Sequence, residues 1–328
     1  MRAFSLVLTA ATAAVALATP ALAQTDPNPT PPITDPADNN RITLGLGVAS
    51  LPDYEGADSN SFTPGAVAIG TVRGHDFFTR GTQLYVNLIP NTGSVGINYE
   101  VGVIAAVRTD RTGRVDNRQV RALGKIDTAY EVGGFVGVGK TGVITSDYDT
   151  LTARVAYIHD VSGTHDSYVI TPQVNYTTPL SVRTLVAFGL SADYAGKGFG
   201  RTYAAVTPIG TINSGLRTYD INDSGFRRVN VSAFALQSLS GDLRRGFGVG
   251  AGVLYGRMLG KYKDSPIVAD VGDADQWLGA VGLTYTFWIA TRRSIRNPVR
   301  PGRAGFFRLR PRPLRLCSSY PGGAPIRA

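Results

Sequence analysis

Beyond residue 40, apolar positions recur with period two. In Val95–Val103 the odd positions are Val95, Ile97, Tyr99, Val101 and Val103, while the even ones are Gly96, Asn98, Glu100 and Gly102. Val182–Tyr194 places Val182, Val186, Phe188, Leu190 and Tyr194 on one face, with Arg183, Ser191 and Asp193 opposite. Phe247, Val249, Ala251, Val253 and Tyr255 alternate with four glycines, and Trp277, Gly279, Val281, Leu283, Tyr285 and Phe287 form the last apolar face. Successive side chains of a strand point to opposite faces, so each run predicts a strand with one apolar face. No stretch after residue 23 supplies the ~18 consecutive apolar residues of a membrane helix.

A soluble sandwich and a membrane barrel share this alternation, with the apolar face turned in or out. Three features favour the barrel. The runs are long enough for the ~9–11 tilted residues that cross a bilayer. Tyr99, Tyr157, Tyr168, Tyr176, Tyr194, Tyr255 and Tyr285 lie near their ends, as interfacial girdles require. An export leader precedes them. Lipid offers no partner to a bare strand edge, so the sheet must close. The expectation is an all-β fold, a closed antiparallel transmembrane β-barrel of about 12 strands: 41–50, 64–73, 82–89, 94–107, 125–139, 148–160, 166–178, 180–194, 215–222, 226–239, 244–258 and 275–287. The ninth is weakly patterned, which leaves ten as the alternative.

The ends of the chain read differently. Met1–Ala23 has a basic start at Arg2, an apolar run and an A-x-A site, which predicts a signal peptide cleaved before Gln24. Residues 24–40 hold five prolines among Thr, Asp and Asn, a Pro-rich flexible spacer. The net charge of +9 points towards an anionic partner until it is located. Residues 288–328 contain ten arginines and no acid; with these and Arg2 set aside, 22 basic residues face 24 acids. The body therefore offers no basic surface for nucleic acid. Cys317, the only cysteine, excludes an internal disulfide.

Pro52-Asp53-Tyr54-Glu55-Gly56, Ser214-Gly215-Leu216-Arg217-Thr218-Tyr219, Ser265-Pro266-Ile267-Val268 and the closing Leu283-Thr284-Tyr285-Thr286-Phe287 occur in that order. On these segments residues 41–287 resemble the MltA-interacting protein (MipA)/OmpV family of Gram-negative outer-membrane proteins. Two stretches depart from the family pattern, at Ser162-Gly163-Thr164-His165-Asp166 and at Tyr194 followed by Gly198-Phe199-Gly200. The resemblance implies location in the outer membrane in contact with its lipid. It also implies a non-enzymatic scaffold between a murein lytic transglycosylase and a peptidoglycan synthase, with a small-solute porin as the alternative. It brings no catalytic, cofactor or metal residues. Tyr285 and Phe287 have the form of the terminal signal read by the barrel-assembly machinery. The tail that follows reads as disordered or as a frameshift product, since relatives end at that aromatic.

The residues themselves offer little chemistry. His75, His159 and His165 are the only histidines. His159-Asp160 and His165-Asp166 invite comparison with proteolytic histidine–acid pairs, but neighbours on a strand face opposite ways, and the expectation is solvated turn residues. Gly137-Val138-Gly139-Lys140-Thr141-Gly142 lacks phosphate-loop spacing and reads as a hairpin turn. Glu100, Arg154, Arg183 and Asp193 are the candidate lumen charges, which either filter ions or neutralise one another.

Overall fold

The computed structural model describes residues 40–90, 96–113 and 115–289. The expected leader, most of the spacer and nearly all of the tail lie outside them. Twelve antiparallel strands close a barrel in which each strand pairs with its neighbours in sequence and the first pairs with the last. They are β1 (Arg41–Pro52), β2 (Asn60–Val72), β3 (His75–Arg80), β4 (Gln83–Asn87), β5 (Ile97–Arg108), β6 (Ala129–Thr141), β7 (Thr150–Asp160), β8 (Tyr168–Pro179), β9 (Thr184–Ala195), β10 (Gly225–Ser238), β11 (Gly246–Met258) and β12 (Asp275–Trp288). Closure runs from Arg41 opposite Trp288 to Ser50 opposite Gly279. No helix among the described residues is long and apolar enough to cross a membrane.

The alternation faces the way the sequence suggests. Leu44, Leu46 and Val48 on β1 stand opposite Tyr285, Leu283 and Val281 on β12, and all six are exposed on the outer surface. The same belt continues through Val101 and Val103, Val136 and Val138, Phe188 and Leu190. Apolar side chains outside a sheet whose first and last strands pair is the arrangement that lipid demands. Short connections, including the tight turn Arg73-Gly74, lie at the end where β1 starts and β12 stops. Both turn residues have positive φ (54° and 85°), the conformation that matches strand twist in a two-residue hairpin. The opposite end, the loop end, carries the longer segments 109–128, 196–224 and 259–274. These hold α1 (Arg118–Ala122), α2 (Lys197–Tyr203), α3 (Pro208–Ser214), α4 (Gly260–Lys263) and α5 (Pro266–Ala269).

The count of twelve agrees with expectation through two errors of opposite sign. Residues 215–222 are not a barrel strand: only Tyr219 makes a bridge, to Val206 inside the loop. Gly215 at φ 75° ends α3, and the chain after it packs on the loop cap instead of on a strand. The strand that sequence misses is β3, whose two apolar residues, Phe77 and Phe78, are adjacent and so show no alternation. β2 begins at Asn60, four residues before the expected start, and carries Pro64 within it.

Candidate functional site

Three loop segments fold inward at the loop end and fill the lumen. α2 is the innermost. It places Phe199, fully buried, between two glycines that let its backbone approach other segments. A Cβ at Gly198 would stand 2.4 Å from the His165 carbonyl oxygen, and one at Gly200 would stand 2.5 Å from Cγ2 of Ile221. The Phe199 ring therefore sits between side chains of β5 and β10. Guanidinium carbons of Arg108 and Arg227 lie 4.8 Å and 4.9 Å from its centroid, and the rings of His165 and Tyr203 lie 5.3 Å and 4.6 Å away. Cations over a desolvated ring are attracted by its quadrupole.

The charges around this ring neutralise one another. Arg108 donates through Nε and Nη2 to the two carboxylate oxygens of Glu131, both at 3.1 Å, and His165 Nε2 lies 3.0 Å from Glu131 Oε1. Arg227 donates to Asp193 at 2.7 Å and pairs with Glu55, which descends from the β1–β2 loop. Arg228 and the Thr171 hydroxyl complete the shell of Asp193 at 3.4 Å and 2.9 Å. A buried charge without a partner costs several kcal/mol, so these sets hold the loops to the wall. The cavity between Glu55, Phe199, Tyr203, Met258 and Tyr262 measures about 10 Å³, about the least that holds one water.

A second layer lies nearer the middle of the barrel. Arg80 reaches across from β3 to Gln173 Oε1 (2.6 Å) and Ser191 Oγ (3.2 Å). Glu100 accepts from Arg154 Nε at 2.8 Å, and the Arg154 guanidinium sits 4.9 Å from the ring centres of both Phe78 and Phe135. Tyr85 stacks on Phe78 at 4.7 Å.

In the loops, protonation follows burial. Burial and then the Glu55 charge push the Asp110 carboxyl above its ordinary range, and burial pushes the Tyr262 phenol up to about 12. In the turn 142–149, burial works against the Asp149 charge. The N–H groups of Thr145, Val143 and Ile144 and the Tyr176 hydroxyl outweigh it and hold the pKa well below the carboxylate range.

Of the candidate lumen charges, Glu100 and Arg154 meet each other and Asp193 meets arginines. Arg183 does not belong with them: it is exposed in the turn 180–183, because β9 begins one residue later. His165 is buried on Glu131 rather than solvated: its turn folds inward so that its ring packs on Phe199, and Asp160 caps it by accepting its N–H at 2.7 Å. His159 sits on the other face of β7, so the two histidine–acid pairs do not converge. Gly137–Thr141 lies within β6, with Gly142 turning out of it. No cluster of three or more metal-ligating side chains occurs among the described residues.

Three of the four motif segments, far apart in sequence, converge on the loop cap. Pro52 ends β1 and the Asp53 carboxylate accepts the Asp116 N–H at 2.7 Å. The Tyr54 hydroxyl donates to Val271 O, the Gly56 N–H to Gln276 Oε1, and the Tyr219 hydroxyl to Lys261 O. Ser265 Oγ donates to Ala204 O at 2.6 Å beside Pro266, which starts α5. Ser214 Oγ donates to Gly210 O just before Gly215. Tyr285 and Phe287 lie on β12 near the turn end, Tyr285 tilted on Phe247 at 4.8 Å. Sequence reasoning missed Arg108, Glu131, Arg227 and Phe199 as a unit; the signal for the last was a large ring between two glycines.

The family model for MltA-interacting protein MipA matches residues 44–287. No curated protein matches the chain. Solved structures similar to it include the outer membrane channel DcaP of Acinetobacter baumannii, at 11% identity and TM-score 0.35, covering 76% of this chain and 96% of that one. OmpT, an outer membrane protein of Vibrio cholerae, aligns at 9% identity and TM-score 0.31 over 75% of this chain and 97% of its own. The Pseudomonas putida toluene transporter TodX aligns at 9% and 0.31, over 77% and 92%.

Proposed function

The chain belongs to the MltA-interacting protein MipA family, and from that premise we propose that this outer-membrane barrel is a scaffold and not an open pore. The observation that carries the reading is the filled loop end, where Phe199 and two neutralised charge sets occupy the lumen. Ions crossing there would have to displace buried, paired arginines, which costs several kcal/mol each. The lumen charges neutralise one another instead of forming a filter. Short turns of a barrel face the periplasm, so the turns 142–149, 180–183 and 239–245 would present the docking surface. The family description names one partner, MltA, a murein lytic transglycosylase; a peptidoglycan synthase is the second partner of this reading. The barrel itself performs no chemistry in this reading. Its signal peptide is removed, and the assembly machinery recognises Tyr285 and Phe287.

The test has two parts. The folded barrel in a planar bilayer is expected to be electrically silent. A photo-cross-linking residue in the 239–245 turn is expected to capture a lytic transglycosylase in cells, while one in the 109–128 loop captures none. Discrete, salt-dependent conductance steps without turn-end capture would replace the scaffold by the small-solute channel.

A further inference from the structure

The barrel wall is not of even height. β3 and β4 span 6 and 5 residues, against 11 to 14 for the other strands. β2 pairs with β1 along Asn60–Thr71 but with β3 only along Ile69–Val72. Next to that ladder, the Ala68 N–H donates to Thr79 Oγ1 at 3.0 Å. From Asn60 to Ala66 the far edge of β2 has no strand beside it, and both of its faces are exposed. The gap is a wedge that narrows at β5, where the Val107 N–H reaches Thr82 O at 3.2 Å. It is bridged above by the loops, through Glu55 N–H to Asp110 and Asp116 N–H to Asp53. Two missing strands, each about 4.8 Å wide, make an opening broad enough for a hydrocarbon chain.

Pro64 lies within this edge. Its position has the parity of Ala68, whose N–H points towards β3, so the donor that proline lacks is one that would have faced the gap. Proline at such a position blocks strand addition and keeps the edge open. Elsewhere a bare edge in lipid is costly.

Behind the gap the inner wall has been stripped of side chains. Gly250, Gly282, Gly47 and Gly65 lie in one hydrogen-bonded register across β11, β12, β1 and β2. Gly47 and Gly282 are required by a tight bend, since a Cβ at either would stand within 2.7 Å of a backbone oxygen. Gly65 is not required in that way, as nothing lies within 4 Å of its Cβ position. Flanking this row, the inward-facing Phe234, Val67 and Ile69 remain 38%, 40% and 46% exposed. The Phe234 ring lies over Gly250 and Gly252, 3.3 Å from each Cβ position. This is a trough with apolar sides that begins at Phe234 and ends at the open edge of β2.

We propose that this trough is a binding site for a single hydrocarbon chain, which enters sideways from the bilayer between β2 and β5. The occupant follows from continuity: the gap interrupts the lipid-facing belt itself, between the exposed Phe62 on β2 and Val107 on β5. A chain that enters meets apolar side chains, bare backbone and the short side chains of Thr63 and Thr284, and the charged plug lies towards the loop end.

The full-length barrel in lipid nanodiscs containing a diazirine-bearing hexadecanoic acid tests this. After photolysis, peptide mass spectrometry is expected to find adducts on Val67, Ile69 and Phe234, besides those on the outer belt at Leu46 and Leu283. Gly65→Trp fills the trough at its mouth and is expected to lower the inner adducts about tenfold with the outer ones unchanged. The outer adducts show that the variant is folded and inserted. Adducts confined to the outer belt in the parent protein would overturn the proposal. So would inner adducts that persist in Gly65→Trp, since the chain would then enter from an end.

Discussion

The wall from β5 to β10 and the wall from β11 through β12 and β1 to β2 share one outward pattern and have opposite interiors. On the first, inward positions carry Arg108, Glu131, Phe135, Arg154, Asp193 and Arg227, joined by ion pairs and ring contacts to loops that fold in. On the second, inward positions include Gly248, Gly250, Gly282, Gly45, Gly47 and Gly65 beside the short side chains of Thr43, Thr284 and Thr286, with a few apolar side chains left exposed. Lipid sets the outer face of both, because only apolar side chains are tolerated there. The inner face is free to differ. One half of the lumen uses that freedom to hold a plug, and the other to leave space.

The largest expected effect is on the plugged half. Arg227→Ala leaves Asp193 and Glu55 buried without their shared cation, and should cost about 3–5 kcal/mol, read as a lower urea midpoint of the folded barrel in lipid. Phe199→Ala should cost about 3 kcal/mol or more by opening a cavity. It should also bring conductance steps to a barrel that is expected to be silent; silence with a retained midpoint would mean that the ring does not hold the plug. On the glycine wall, Gly47→Ala forces a Cβ to within 2.2 Å of Val281 O, and about 1–3 kcal/mol of overpacking should follow. Gly65→Ala should fall within about 0.5 kcal/mol of the parent. Equal costs at these two glycines would erase the distinction between bend and open trough.

The smallest effect concerns pH. With the Tyr262 phenol raised to about 12 by burial, the folded state favours its neutral form. Its contribution is complete below the ordinary tyrosine value near 10 and declines as pH rises from there through about 12. Tyr262→Phe should make that decline shallower, measured by unfolding between pH 9 and 12. At pH 7 it should be neutral or slightly stabilising, since the Tyr262 hydroxyl has no hydrogen-bond partner.

How much of this was legible beforehand differs between elements. β5, β9, β11 and β12 were readable because alternation over twelve or more residues is a local property. β3 was not, because six residues with adjacent phenylalanines show no period, and 215–222 imitated a strand through a few apolar residues that serve the loop cap. Glu100 and Arg154 were legible as inward from parity, whereas their pairing was not, since they lie 54 residues apart on β5 and β7. Arg183 was misplaced by the uncertainty of a strand start. His165 was misjudged because its burial depends on α2, whose position no local pattern announces.

The sequence by itself determined the fold class, the direction in which the apolar face points and the family, because alternation and short motifs are written in consecutive residues. Only the tertiary structure decided that the lumen is plugged, that half of its wall is bare and that the wall has a gap beside β2. Those features depend on which strands stand next to each other, on how tall each neighbour is and on where long loops come to rest. Register and closure settle all of these between residues that the chain keeps far apart.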